Sequence, residues 1–154
     1  MNPYLQIKET KTEDGTYYYS ERRGKDSVAF VLYASEDDTY GLINEFKPPL
    51  GISLVTAFGG SLDKDKSLSG IVVDEVEEEG GFRVSEEDLI YKGSFMATTQ
   101  SSEVVHLYLV CISNSDTVGR KPQNKIEEQS EVIWIKKEDA KLIKCWKARL
   151  IIGV

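Results

Sequence analysis

Asp74, Glu75, Glu77, Glu78 and Glu79 crowd the end of a segment in which Leu68, Ile71, Val72 and Val76 recur at helical spacing. Glu75 and Glu79 lie four residues apart and share a helix face, as do Asp74 and Glu78, and each like-charged pair costs about 0.2–0.5 kcal/mol. The helix dipole adds to the penalty, because the last turn favours cations over carboxylates. An acidic run is usually a solvated helix face. The chemistry that would also tolerate it is the holding of hard divalent cations through oxygen ligands, as Mg²⁺ requires.

The punctuation around the run favours the second use. Gly59-Gly60 follows the apolar stretch Leu54 to Phe58 and reads as a tight turn with positive φ. The loop Ser61 to Lys66 is polar, and Gly80-Gly81 stops the helix, with Gly81 suited to a left-handed terminal position. Gly70 falls inside the helical pattern and should cost about 1 kcal/mol relative to Ala.

Gly60, five residues, Lys66, seven residues, then Asp74-Glu75-Val76-Glu77-Glu78-Glu79-Gly80-Gly81-Phe82 resembles the Nudix box, G-x5-E-x7-R-E-U-x-E-E-x-G-U, in which U is bulky and apolar. Gly60, Glu75, Val76, Glu78, Glu79, Gly81 and Phe82 match. Lys66 stands where the family has Glu, and Asp74 where it has Arg. That Arg normally pairs with the helix carboxylates and orients them, so Asp74 puts an anion in place of a supporting cation. On this reading Asp74→Arg should stabilise the metal-free protein.

Three further segments resemble the ADP-ribose pyrophosphatases and related nucleotide-sugar hydrolases. Ser27 to Tyr33 followed by Asn44-Glu45-Phe46-Lys47-Pro48-Pro49 is similar to their segment ahead of the box, with Lys47 in the basic position before paired prolines. Thr98 to Glu103, followed by a strand, is similar to their loop ending in Glu, without its Ser-Pro-Gly. Ile126 to Ile135 is similar to the acidic loop and Trp-containing strand that often supply the general base. Where many of these enzymes read Glu-Leu-Pro-Ala-Gly this chain reads Thr56-Ala57-Phe58-Gly59-Gly60, so a Glu useful for base recognition is absent.

The resemblance implies an α/β protein, the Nudix α/β/α sandwich with a mixed β-sheet, hydrolysing the diphosphate linkage of ADP-ribose or a nucleotide sugar. It implies that Glu75 and Glu79 ligate Mg²⁺ or Mn²⁺, helped by Glu78 and the main-chain carbonyl of Gly59. The catalytic set is Glu128, Glu127 and Glu78, with Glu128 ahead of Glu127 as general base; Lys47, Glu103 and Gly60 contact substrate. The alternatives are a Nudix hydrolase of another substrate class (nucleoside triphosphate, dinucleotide or RNA cap) and a non-catalytic nucleotide-binding module. Subfamily resemblance further implies a homodimer in which the N-terminal strands, within residues 1–22, reach the partner.

The elements that must position these residues read as follows. Tyr4 to Lys8 and Thr16 to Ser20 form strands around the turn Glu13-Asp14-Gly15, and Tyr17-Tyr18-Tyr19 reads as strand packing. Val28 to Tyr33 and Gly41 to Phe46 form a hairpin; Leu89 to Met96, Val104 to Ile112 and Glu131 to Ile135 supply further strands. Ser113 to Asn124 is a polar loop, and a C-terminal helix starts near Lys137. The mixed order suits a sheet between helices.

A chain of 154 residues with 40% hydrophobic content fits one domain. Its formal net charge of −7 argues against long nucleic acid and anionic membrane as partners. No apolar run approaches membrane-spanning length, and Met1-Asn2-Pro3-Tyr4 lacks the basic and apolar regions of a signal peptide, so a cytoplasmic setting is expected. His106, the one histidine, has no ligand partner at useful spacing and reads as a packing or partly solvated residue. Cys111 reads as a buried reduced thiol; neither it nor Cys145 has metal-ligand spacing.

Overall fold

The computed structural model describes residues 4–62 and 65–154; Met1 to Pro3 of the N-terminal expectation, and Asp63 and Lys64 of the loop before the helix, lie outside them. Nine strands are described: β1 (Leu5–Thr12), β2 (Gly15–Arg22), β3 (Ser27–Ala34), β4 (Thr39–Lys47), β5 (Ile52–Thr56), β6 (Phe58–Ser61), β7 (Leu89–Met96), β8 (Val104–Ile112) and β9 (Glu131–Ile135). Three α-helices accompany them: α1 (Leu68–Glu75), α2 (Lys125–Gln129) and α3 (Trp146–Ile152). β1 and β2 make a separate two-stranded hairpin, and the other seven strands form one mixed sheet, in which β3 runs parallel to β8 and antiparallel to β4 and β6.

Strand alternation assigns each face of the sheet a helix. Val28, Phe30 and Leu32 of β3 pack with Ile71, Val72 and Val76. Ala29 and Val31 turn the other way and pack with Ala148, Ile151 and Ile152 of α3. β3 is covered on both faces, which is why it reads as a continuous apolar run.

The sheet forks beside β3. Its second half pairs with β4 through Leu32↔Gly41 to Ala34↔Thr39, while its first half pairs with β6 through Ser27↔Ser61 to Phe30↔Phe58. β4 has β9 along Tyr40 to Asn44 and, having left β3, takes β5 as a neighbour from Ile43 to Lys47. The apolar stretch Leu54 to Phe58 is thus divided between two strands rather than one.

Four local expectations change. Gly59 and Gly60 lie in β6, and neither is among the positive-φ glycines, so the tight turn is absent; Gly60 is needed for space, as its site shows below. Gly70 is in the first turn of α1, where its N–H donates to the capping Ser67 Oγ at 3.1 Å. The C-terminal helix begins at Trp146, because Lys137–Leu142 forms a 3₁₀ turn instead. Glu127 and Glu128 belong to the short helix α2, capped by Asn124.

No helix among the described residues is long and apolar enough to cross a membrane.

Candidate functional site

The acidic helix ends in an expanded turn. Residues Val76–Gly80 are π-helical, and Gly81, at φ 81°, donates its N–H to Val76 O. The carbonyls left over at this end are met from another part of the chain: Lys121 N–H donates to Glu78 O at 2.7 Å, and Arg120 Nε to Glu79 O at 2.6 Å.

The carboxylates divide according to their counter-charges. Asp74 accepts from Lys66 Nζ at 2.5 Å, so the two residues that depart from the box pattern pair with each other. Glu77 is paired with Lys121 at 2.5 Å and Arg83 at 3.6 Å, and the Lys121 hydrogen bond is the chief cause holding its carboxyl below the usual range. The over-charged face expected from sequence therefore has protein cations on its outer side.

Glu79 points inward. Burial, followed by the charges of Glu75, Glu127 and Glu45, raises its carboxyl from 4.5 to about 8, and a backbone hydrogen bond from Gly59 opposes the shift. It lines a cavity of about 300 Å³ set in the fork of the sheet, whose wall includes Glu45 and Lys47 of β4, Thr56, Gly59 and Lys147. Lys47 donates to Glu45. Beside this cavity a second groove, of about 190 Å³, is lined by Arg22, Ser27, Gly59, Gly60, Ser61 and again Lys147.

Gly60 faces the helix: a Cβ built there would lie 2.7 Å from Glu75 Cγ and 3.0 Å from Oε1. Only glycine allows the strand and the carboxylate stem to approach this closely. Glu103 accepts from Arg22 Nη1 at 2.9 Å and from Ser27 Oγ at 2.5 Å, while Arg22 Nη2 donates to Ser61 Oγ. This links the N-terminal hairpin to the strand that carries Gly60.

Glu127 lies close enough to act on the charge of Glu79, with its Oε2 accepting from Gln123 N–H at 2.5 Å and its Oε1 from Asn124 Nδ2 at 2.6 Å. Glu128 is exposed. The structure thus gathers Glu75, Glu79, Glu127, Lys47, Gly59 and Gly60 around the fork, sets Glu103 behind Arg22, and leaves Glu128 on the surface. Among the described residues no group of three or more His, Cys, Asp or Glu side chains is close enough to hold a metal ion as it stands.

Four contributors escaped the sequence reading. Arg120 also donates to Ser130 O at 2.7 Å, Ser130 Oγ at 2.6 Å and Glu127 O at 3.2 Å, fastening the C-terminal end of α2 to the end of the acidic helix. Lys147, Thr56 and Arg22 join the site through folding alone. A lone Arg in a polar loop and one Lys among the C-terminal cations carry no spacing that would single them out.

His106 packs as expected, with Nδ1 3.2 Å from Tyr91 Oη. Cys111 is partly exposed rather than buried, and Cys145 lines the fork cavity.

No family model matches the chain, and no curated protein does. What bears on function is the geometry of the fork.

Proposed function

We propose that this chain is a Nudix-type pyrophosphohydrolase, an α/β/α sandwich that cleaves the diphosphate linkage of ADP-ribose or a nucleotide sugar with Mg²⁺ or Mn²⁺. The observation that carries the reading is the convergence of Glu79 with Glu75, Glu127 and Glu45 beside a cavity that also contains Lys47. A carboxyl raised to about 8, first by burial and then by three neighbouring carboxylates, is a group that a bound cation would stabilise in its charged form. An all-oxygen donor set of this kind fits a hard divalent cation.

Glu75, Glu78 and Glu79 would hold the ion, and the main-chain carbonyl of Gly59 would add to them. When bound, the ion neutralises the diphosphate and lowers the pKa of a water. Gly60 sets the position of the Glu75 stem, and Arg120 holds the short helix α2 that presents Glu127. We assign the water's proton to the Glu127 carboxylate, whose two oxygens are oriented by Gln123 and Asn124, and keep Glu128 as the second candidate. Lys47 and the Arg22–Glu103 pair flank the path of an anionic substrate into a protein of net charge −7. A homodimer joined through β1 and β2, and a cytoplasmic setting, belong to the same proposal.

One observation favours a second reading, a nucleotide-binding module without catalysis: no three carboxylates stand ready-gathered among the described residues. A panel of ADP-ribose, nucleotide sugars, dinucleotides and nucleoside triphosphates, assayed with Mg²⁺ and with Mn²⁺, separates the two. Glu79→Gln should lower turnover at least about a hundredfold, through loss of a metal-held charge clamp, with the fold intact. Wild-type turnover in that variant would sink the metal-site assignment. Nucleotide binding without hydrolysis of any compound in the panel would establish the module.

A further inference from the structure

Two groups in the wall of the fork cavity have no use in the metal-centred reaction. Thr56 Oγ1 is buried and has no hydrogen-bond partner among the described residues, a state that destabilises a protein unless a ligand or water completes it. Lys147 lines both the cavity and the adjoining groove. Among the described residues it forms no ion pair; its ammonium lies 6.0 Å from the ring of its neighbour Trp146. It sits at the second residue of α3, where the helix dipole disfavours a cation. Lys47, by contrast, is engaged by Glu45.

A solitary ammonium and an unanswered hydroxyl in one wall fit a ligand that carries both an anionic group and a hydroxyl. Size narrows the choice, since about 300 Å³ is the lower end of the range of roughly 300–1,000 Å³ for ligand pockets. One half of a nucleoside diphosphate derivative fits that space better than the whole. The aromatic ring in the wall, Phe58, is buried and stacked on Phe30 at 5.0 Å, so it presents no face to a base. The non-base half remains.

We propose that the fork cavity is the subsite for the sugar-phosphate half of the ligand, with Lys147 Nζ donating to the phosphoryl oxygens and the Thr56 side chain, whose Oγ1 is shielded in the free chain, turning about χ1 to hydrogen-bond a sugar hydroxyl. The proposal rests on the hydrolase reading for the identity of the whole substrate, but not for the subsite. Lys147 and Thr56 are specificity residues; neither takes part in bond cleavage.

The test is calorimetric titration of the full, metal-free chain with ribose 5-phosphate, and separately with inorganic phosphate. The wild type should bind ribose 5-phosphate more tightly than phosphate, and Lys147→Met should weaken the sugar phosphate at least about tenfold, as loss of a charged hydrogen bond requires. Lys147→Arg, which retains the charge, should stay within about threefold of wild type. Thr56→Val should weaken ribose 5-phosphate but leave phosphate unchanged, while raising the melting temperature, because it removes a buried hydroxyl without a partner. A wild type that binds neither probe, or variants that bind ribose 5-phosphate as the wild type does, would overturn the subsite. Turnover assays keep the two readings apart. Lys147-dependent binding without hydrolysis would retain the subsite and remove the hydrolase, whereas hydrolysis with an unchanged KM in Lys147→Met would do the reverse.

Discussion

Between its ordinary 4.5 and its folded value of about 8, the Glu79 carboxyl binds a proton that the unfolded chain has released. Stability from this group is therefore fully present below about 4.5, falls as pH rises through that window, and changes no further above about 8. A shift of that size amounts to several kcal/mol in order of magnitude. The melting temperature of the metal-free protein should accordingly rise on acidification from about pH 8 to about pH 6, and this rise should disappear in Glu79→Gln. A flat profile in the wild type would show that the carboxylate already has a counter-charge. Gly60 supplies a second test at the same place. In Gly60→Ala the new methyl would meet Glu75 Cγ at 2.7 Å, and since that atom is mid-stem the carboxylate must move. Divalent-ion affinity, read by Mn²⁺ titration, should drop roughly 10–100-fold, as for lost support of a ligand. Unchanged affinity would exclude Glu75 from the ion's shell.

The acidic helix and the segment before it form a charge-reversed pair through Lys66 and Asp74. This overturns the expectation that Asp74→Arg should stabilise: the new guanidinium would face Lys66 instead of replacing a repelling anion. Both side chains are partly exposed, at 50% and 31%, so the pair contributes only about 0.2–1 kcal/mol. Asp74→Arg should lower the melting temperature by roughly 1–4 °C, and adding Lys66→Glu should restore it. A single variant as stable as the wild type would mean that the pair contributes nothing. Further along, the π-helical turn spaces Val76 to Gly80 differently from an α-helix, and Arg120 and Lys121 take up the carbonyls that it releases. The end of this helix is completed by residues some forty positions away, beyond the reach of any local capping rule.

On the scale of the molecule, the β1–β2 hairpin stands outside the main sheet. It is tied back by Ser20 N–H to Gln100 O at 2.9 Å, Tyr17 Oη to Thr99 O at 3.0 Å and Arg22 to Glu103. Leu5, Ile7, Tyr17 and Tyr18 are exposed on it, Ile7 by 71%, so the tyrosines do less packing within the chain than their strand pattern implies. A two-stranded ribbon is marginal alone, and exposed apolar residues of this kind mark interaction surfaces. Light scattering at micromolar concentration should give twice the chain mass. A monomer mass would remove the dimer and leave the hairpin as a support for Glu103 alone.

Periodicity was enough to locate most strands and the acidic helix, because alternation and helical spacing are local consequences of burying one face. The carboxylates at 75, 78 and 79 were legible for the same reason, since their crowding is unfavourable within the helix itself. The partners of those charges were not legible. Lys66 with Asp74, Lys121 and Arg83 with Glu77, and Arg120 with Glu79 O meet through chain reversals that no local spacing encodes. Gly60 is legible from its place in the pattern, but the reason for glycine there is not: the position needs room beside Glu75, not positive φ. The fork cavity lay furthest from view. It exists because β3 exchanges β4 for β6 along its length, and it brings Lys47, Thr56, Glu79 and Lys147 to one wall. Side chains so far apart in the chain become neighbours only when the sheet closes, which makes the site a property of the tertiary structure.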